Sequence, residues 1–172
     1  MTQQNNLNNE LHAEQLVLTR VFNAPRSLVF KMWTEPEHLS NWWGPAGFKI
    51  YIKKFDFSAG GVFLYCMTGN GFEMWGRFVY LEIEEPEKLV FINSFSDSDG
   101  NITRAPFSAT WPLEVLNTLT FEEENGKTTM TLNGGPYNAS DEELQTFAGG
   151  FSSMNQGFKG TFDQLDAYIA SL

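Results

Sequence analysis

Few side chains in this sequence have the chemistry for catalysis, and their spacing points to other work. His12 and His38 are the whole supply of imidazole. His12 falls in a polar N-terminal stretch, and His38 sits in a short helix beside Glu35 and Glu37, where a partly exposed surface ring is expected. A Ser–His or Cys–His pair needs a base at a fixed place, and none is supplied near Cys66, which reads as a small core residue in mid-strand. Zinc would need more His and Cys than the chain holds. Asp97 to Asn101 reads DSDGN, half of a calcium loop, yet Ser108 stands where the twelfth-position Glu is required, so a solvated turn is expected. Asp56, between Phe55 and Phe57, reads as a strand-end carboxylate bonding turn amides rather than a buried base. Arg77 shares a strand with Glu73. If Trp75, Arg77, Val79 and Leu81 face inward, Arg77 meets a ligand carboxylate; if Met74, Phe78 and Tyr80 do, it forms an ion pair outside. Both faces are apolar enough to leave the register open. No metal and no organic cofactor are expected, and a cyclase-like or hydrolase-like reaction is the lesser alternative to binding.

What the sequence supplies in quantity is apolar surface. Aromatic residues make up 15% of the chain, sixteen of them Phe, more ring volume than an ordinary core of 172 residues requires. The candidates for contact with a ligand are Trp42 and Trp43 between strands one and two, Phe63 and Tyr65 on the third strand, and Met74, Trp75, Arg77 and Phe78 on the fourth. Phe147, Phe151, Met154 and Phe158 join them from a C-terminal helix. Each alone reads as core; together they exceed what two packed layers need, and methionines with paired helix glycines suit a deformable pocket. Trp33 reads as packing. The expected partner is a small apolar or aromatic molecule. The formal charge of −10 and the lack of a Lys/Arg cluster argue against nucleic acid and anionic membranes. A single cysteine and an N-terminus without an apolar segment fit the cytoplasm.

Positioning these side chains requires a sequence of elements that the periodicity supplies. A polar tail over 1–14 precedes one domain over 15–172. Gln15 to Phe22 alternates as a strand. Pro25 then suits the first turn of a helix with Leu28, Val29, Met32 and Trp33 on one face. Thr34 with Glu37 predicts a capping box for a second short helix that buries Leu39, Trp42 and Trp43 and ends at Gly44-Pro45. Strands follow at Phe48 to Phe57, Val62 to Thr68, Phe72 to Glu84, Lys88 to Phe95, Val115 to Glu123 and Lys127 to Leu132. They are separated by Gly60-Gly61, Gly69-Asn70-Gly71, Glu85-Pro86 and Asn125-Gly126, short links that favour antiparallel neighbours. Ser96 to Pro112 is the one long loop. From Leu144 through Phe147, Phe151, Met154, Phe158, Phe162 and Leu165 to Ile169 the apolar spacing is helical. Ser140 with Glu143 and Ser153 with Gln156 offer two starts for that helix, and Gly149-Gly150 predicts a break in it.

The order predicts an α+β helix-grip fold: a curved antiparallel sheet of six or seven strands around a long C-terminal helix, with two short helices after strand one and a cavity between sheet and helix. The motif R-x-F-x-A-P-x-x-x-V-F-x-x-W-T-x-P-x-x-L-x-x-W-W-G-P at Arg20 to Pro45 is accompanied by F-D-F-S-A-G-G-x-F at Phe55 to Phe63. With E-I-x-x-P-E-K-L-V-F at Glu82 to Phe91, these resemble the Hsp90-ATPase-activator-like family of the START/Bet v 1-like superfamily. Relatives often carry Arg where Ser58 stands and Trp where Phe158 stands. The resemblance implies a fold that hosts lipid carriers, cyclases, receptors and co-chaperone domains, so it does not choose among them. Co-chaperones of the family carry a further N-terminal domain that a fourteen-residue tail does not supply. Binding of a small ligand is therefore the leading expectation. Contact with a chaperone, or with a second copy of the chain as a homodimer, is the alternative.

Overall fold

Seven strands make one curved antiparallel sheet in a computed structural model that describes residues 15–172. The expected polar tail, with His12, lies outside the described residues. The strands are β1 (Leu16–Phe22), β2 (Lys49–Phe55), β3 (Val62–Gly69), β4 (Phe72–Glu84), β5 (Lys88–Ser96), β6 (Val115–Glu124) and β7 (Lys127–Pro136). From β2 to β7 they pair in sequence order, but β1 pairs with β7, so the sheet runs β1-β7-β6-β5-β4-β3-β2. β1 and β2 are thus at opposite edges, and the segment joining them must cross one end of the sheet. That crossing is made by α1 (Arg26–Thr34) and α2 (Pro36–Trp42).

Turn chemistry sets the hairpins. Asn70-Gly71 and Asn125-Gly126 all have positive φ, between 51° and 78°, as a two-residue turn matched to strand twist requires. Register shifts at Ile52/Lys54 and Tyr80/Glu82 are bulges, which bend the strand and increase the local twist. β7 continues four residues past Leu132, because Asn133 to Pro136 still pair with β6.

The helix ends depart from expectation in two places. Pro25 is the N-cap of α1, outside the first turn. Thr34 is the last residue of α1 and makes no capping box with Glu37: Pro36 forces the residue before it to be extended, so Glu35 (φ −120°, ψ 126°) becomes the cap of α2. At the C-terminus both alternatives for the helix start are resolved by a break. Ser140 and Glu143 do form the capping box that opens α3 (Asp141–Gly149), and Gly150 separates it from α4 (Phe151–Ser171). A β-carbon at Gly150 would lie 3.0 Å from the Trp111 ring, so the close approach of Trp111 selects glycine. Ser153 and Gln156 lie within α4 and cap nothing.

The core fills one end of this grip. Val29, Phe30, Met32 and Trp33 from α1 and Leu39 and Trp42 from α2 meet Phe63, Phe78, Tyr80, Phe91, Leu119 and Leu132 from the sheet. Phe162, Leu165 and Ile169 of α4 close it. Trp33 is at the centre, 4.7 Å from the Trp42 ring and 6.3 Å from Phe162, and Phe78 stacks on Phe91 at 4.2 Å. On the opposite face the long loop after β5 lies over the sheet: Gly100 rests on Leu64, and its carbonyl accepts from Arg77 Nη1 at 2.8 Å. Among the described residues no helix is long and apolar enough to cross a membrane.

Candidate functional site

The N-terminal half of α4 does not reach the sheet, and a cavity of about 300 Å³ lies beneath it. Tyr65 and Met67 of β3, Gly76 of β4, and Asn93 and Phe95 of β5 form the floor. Met154, Gly157, Phe158 and Thr161, at helical spacing on one face of α4, form the roof. Trp43, Gly44 and Pro45, where the chain leaves α2, make the rim. The rim is tied to the roof: the Gly44 carbonyl accepts from Thr161 Oγ1 at 3.2 Å and from Gln164 Nε2 at 2.8 Å. Gly44 has φ +97°, and a β-carbon there would meet Met67 Sδ at 2.8 Å, so both backbone and space call for glycine.

Tyr65 is the polar centre of the floor. Its partner across the ladder is Gly76, and a β-carbon on Gly76 would stand 2.6 Å from the phenol oxygen. Glycine at 76 therefore makes the space in which the ring lies across β4. The oxygen accepts a long hydrogen bond, 3.3 Å, from Asn93 Nδ2. Burial raises the Tyr65 phenol above its usual range, opposed by Trp43 and Asn93 as donors. Trp43 stands at right angles to Tyr65 with ring centres 6.3 Å apart; its buried indole N–H lies near the phenol oxygen and lowers the phenol's pKa, but makes no well-aligned hydrogen bond. No lining side chain among the described residues carries a charge.

The candidates read from sequence divide by position. Trp43, Tyr65, Met154 and Phe158 line the cavity, and Trp75 borders it while its ring packs outside against Tyr51 and Lys53. Trp42, Phe63 and Phe78 are buried in the core and absent from the cavity wall; Trp42 donates to the Met32 carbonyl at 3.0 Å. Phe147 and Phe151 pack with each other, and Phe147 with Trp111. Met74 opens on a separate polar pocket of about 170 Å³ with Glu73, Ser96 and Arg104. Arg77 faces outward: Gly76, Phe78 and Tyr80 are the buried side of β4, so alternation puts Arg77 under the loop, bonded to Gly100. Met67, Asn93 and Gly157 line the cavity without having been singled out. Asn93 carried a signal, as a lone amide on the Phe91–Phe95 side of an apolar strand.

Other titratable groups have local partners. His38 shares a 2.7 Å hydrogen bond with the Tyr168 hydroxyl and lies 3.2 Å from Glu35. Burial pushes the Cys66 thiol up, away from the reactive thiolate. Asp56 is exposed and accepts from the Ser58 hydroxyl, not from turn amides. Asp97 accepts from the amides of Asp99 and Asn101 and from the Asn101 side chain, bonds that hold its carboxyl below the usual range and close the DSDGN turn.

A family model described as Activator of Hsp90 ATPase homolog 1-like protein matches residues 23–170. Among solved structures, protein Ms6760 of Mycobacterium smegmatis is 28% identical, with 91% of each chain covered and a TM-score of 0.74. A protein of Arthrobacter aurescens is 26% identical over 94% of this chain and 88% of its own, TM-score 0.77. One of Staphylococcus epidermidis is 25% identical over 91% and 90%, TM-score 0.70. No curated protein matches.

Proposed function

Since the chain belongs to the Activator of Hsp90 ATPase homolog 1-like family, whose fold supports ligand-binding or interaction domains, we propose that it binds a small, largely apolar molecule between α4 and the sheet. The observation that carries this reading is the cavity of about 300 Å³, with Met67, Phe95, Met154 and Phe158 in its walls and no charged side chain among its described lining. A well-formed apolar cavity with a few converging polar groups is the usual form of a small-molecule site. Trp43, Tyr65, Met154 and Phe158 are the proposed contacts. The reading includes no reaction, and the described lining contributes no carboxylate, imidazole or thiol.

Titrating tryptophan fluorescence against fatty acids, flavonoids and aromatic polyketides, with Trp43→Phe as the control, tests it. A ligand at about 100 times its Kd adds about 2.7 kcal/mol of stability, visible as a thermal shift of several degrees. No quenching and no thermal shift across the panel would refute it. Contact with a chaperone or a second copy is the competing reading, and an unfilled interior favours the small ligand.

A further inference from the structure

We infer that the ligand of this chamber carries a neutral oxygen acceptor, a carbonyl or ether on an otherwise apolar body, which Tyr65 Oη and Trp43 Nε1 hold by donating to it, and that carboxylates are excluded. This rests on the cavity being a binding chamber. Its polar side chains are unequal in what they lack. The Trp43 indole can only donate, and its buried N–H, though near the Tyr65 oxygen, makes no well-aligned hydrogen bond. Tyr65 is 3% exposed; its oxygen accepts from Asn93, but no acceptor among the described residues takes its proton. Buried donors without acceptors are destabilising, and at this cavity Trp43 on the rim and Tyr65 on the floor bring two such rings within 6.3 Å, beside the unpartnered hydroxyl of Ser94. Because burial holds the phenol protonated, it remains a donor through the physiological pH range.

The same wall argues against an anion. A carboxylate moved into this cavity would lose its water, and no cation among the described lining would replace it. The guanidinium on that part of β4, Arg77, is on the other side of the sheet and bound to Gly100. A pure hydrocarbon of the same shape would fit but leave both donors unpaired, a mismatch that sites built for hydrogen bonding discriminate strongly.

Three probes with one diphenyl body separate the possibilities: diphenylmethane, benzophenone and diphenylacetate, titrated calorimetrically into the full chain at pH 7. Benzophenone is expected to bind about tenfold tighter than diphenylmethane, the reach of one to two net hydrogen bonds. Diphenylacetate is expected to bind weakest, and Tyr65→Phe should narrow the ketone advantage over diphenylmethane to about threefold. The Trp43 indole proton, assigned by its absence in Trp43→Phe, should move downfield in NMR spectra with benzophenone alone. That shift is read in the unmodified protein, so it decides the matter even if Tyr65→Phe folds poorly. Equal binding of ketone and hydrocarbon, or tightest binding of diphenylacetate, overturns the inference and leaves the chamber standing. Binding of none of the three overturns the chamber reading and the inference with it.

Discussion

Gly157 gives the sharpest test of how the chamber is made. It lies on the face of α4 that also carries Met154, Phe158 and Thr161 over the cavity, and a β-carbon added there meets nothing within 4 Å. Glycine inside a helix is disfavoured by about 1 kcal/mol relative to alanine, because it loses more backbone freedom on folding. Nothing in its surroundings requires it sterically. If packing alone governed this position, alanine would be better, and the free volume beside it is what remains to explain the glycine. Gly157→Ala should therefore raise stability by about 1 kcal/mol, or roughly 2–4 °C in Tm for a chain of this length, with apolar-probe affinity unchanged. Gly157→Trp should keep part of that gain while its ring occupies the mouth, so affinity for a neutral fluorescent probe such as N-phenyl-1-naphthylamine should fall at least about tenfold. Thermal denaturation and probe titration of both variants check this. A tryptophan variant that binds like the parent, or an alanine variant that melts lower, would refute the reasoning.

Three further outcomes follow from the same geometry. Gly76→Ala should cost about 1–3 kcal/mol in chemical denaturation, since its β-carbon would lie 2.6 Å from the Tyr65 oxygen and 2.7 Å from Cζ; in a Tyr65→Ala background most of that penalty should vanish. Glu143, held by the Ser140 amide and Arg104, has its carboxyl lowered from 4.5 to about 2. A depressed carboxylate contributes above its unfolded pKa and loses that contribution as pH falls, so stability should drop between about pH 4.5 and 2, and Glu143→Gln should flatten that limb. Arg77→Met should leave the affinity of every cavity probe unchanged, because its side chain is across the sheet from the chamber; a tenfold loss for an anionic probe in calorimetry would contradict this placement.

The fold was legible because local signals and global order agreed. Asn70-Gly71 and Asn125-Gly126 set two hairpins, Ser140 and Glu143 set a helix start, and the threes and fours from Leu144 to Ile169 set the gripped helix. The failures were positional. Proline effects moved two helix starts by one residue, since Pro36 constrains its predecessor more strongly than Thr34 can cap. The site was only half legible for a different reason: β4 reads M-W-G-R-F-V-Y, apolar on both sides, because its outer face is also covered, by the loop after β5. Alternation in the sequence cannot choose a face when both are apolar. What chooses is the pairing of Gly76 with Tyr65, a tertiary fact with no trace in the spacing.

The division of labour along α4 explains how an unfilled chamber is tolerated in a marginally stable molecule. Phe162, Leu165 and Ile169 are buried in the core, while Met154 and Phe158, two and one turns earlier, are only half-buried over the cavity. Packing energy is therefore concentrated in the C-terminal half, against Trp33 and the α1–α2 plug, and the N-terminal half is held at its margin by the Gly44 carbonyl, which takes both Thr161 and Gln164. A helix anchored from Thr161 onward and broken at Gly150 leaves the turns between Phe151 and Gly160 as its least tethered stretch. Gly157 and Gly160 lie in that stretch, so the residues that weaken the helix fall where it spans the cavity.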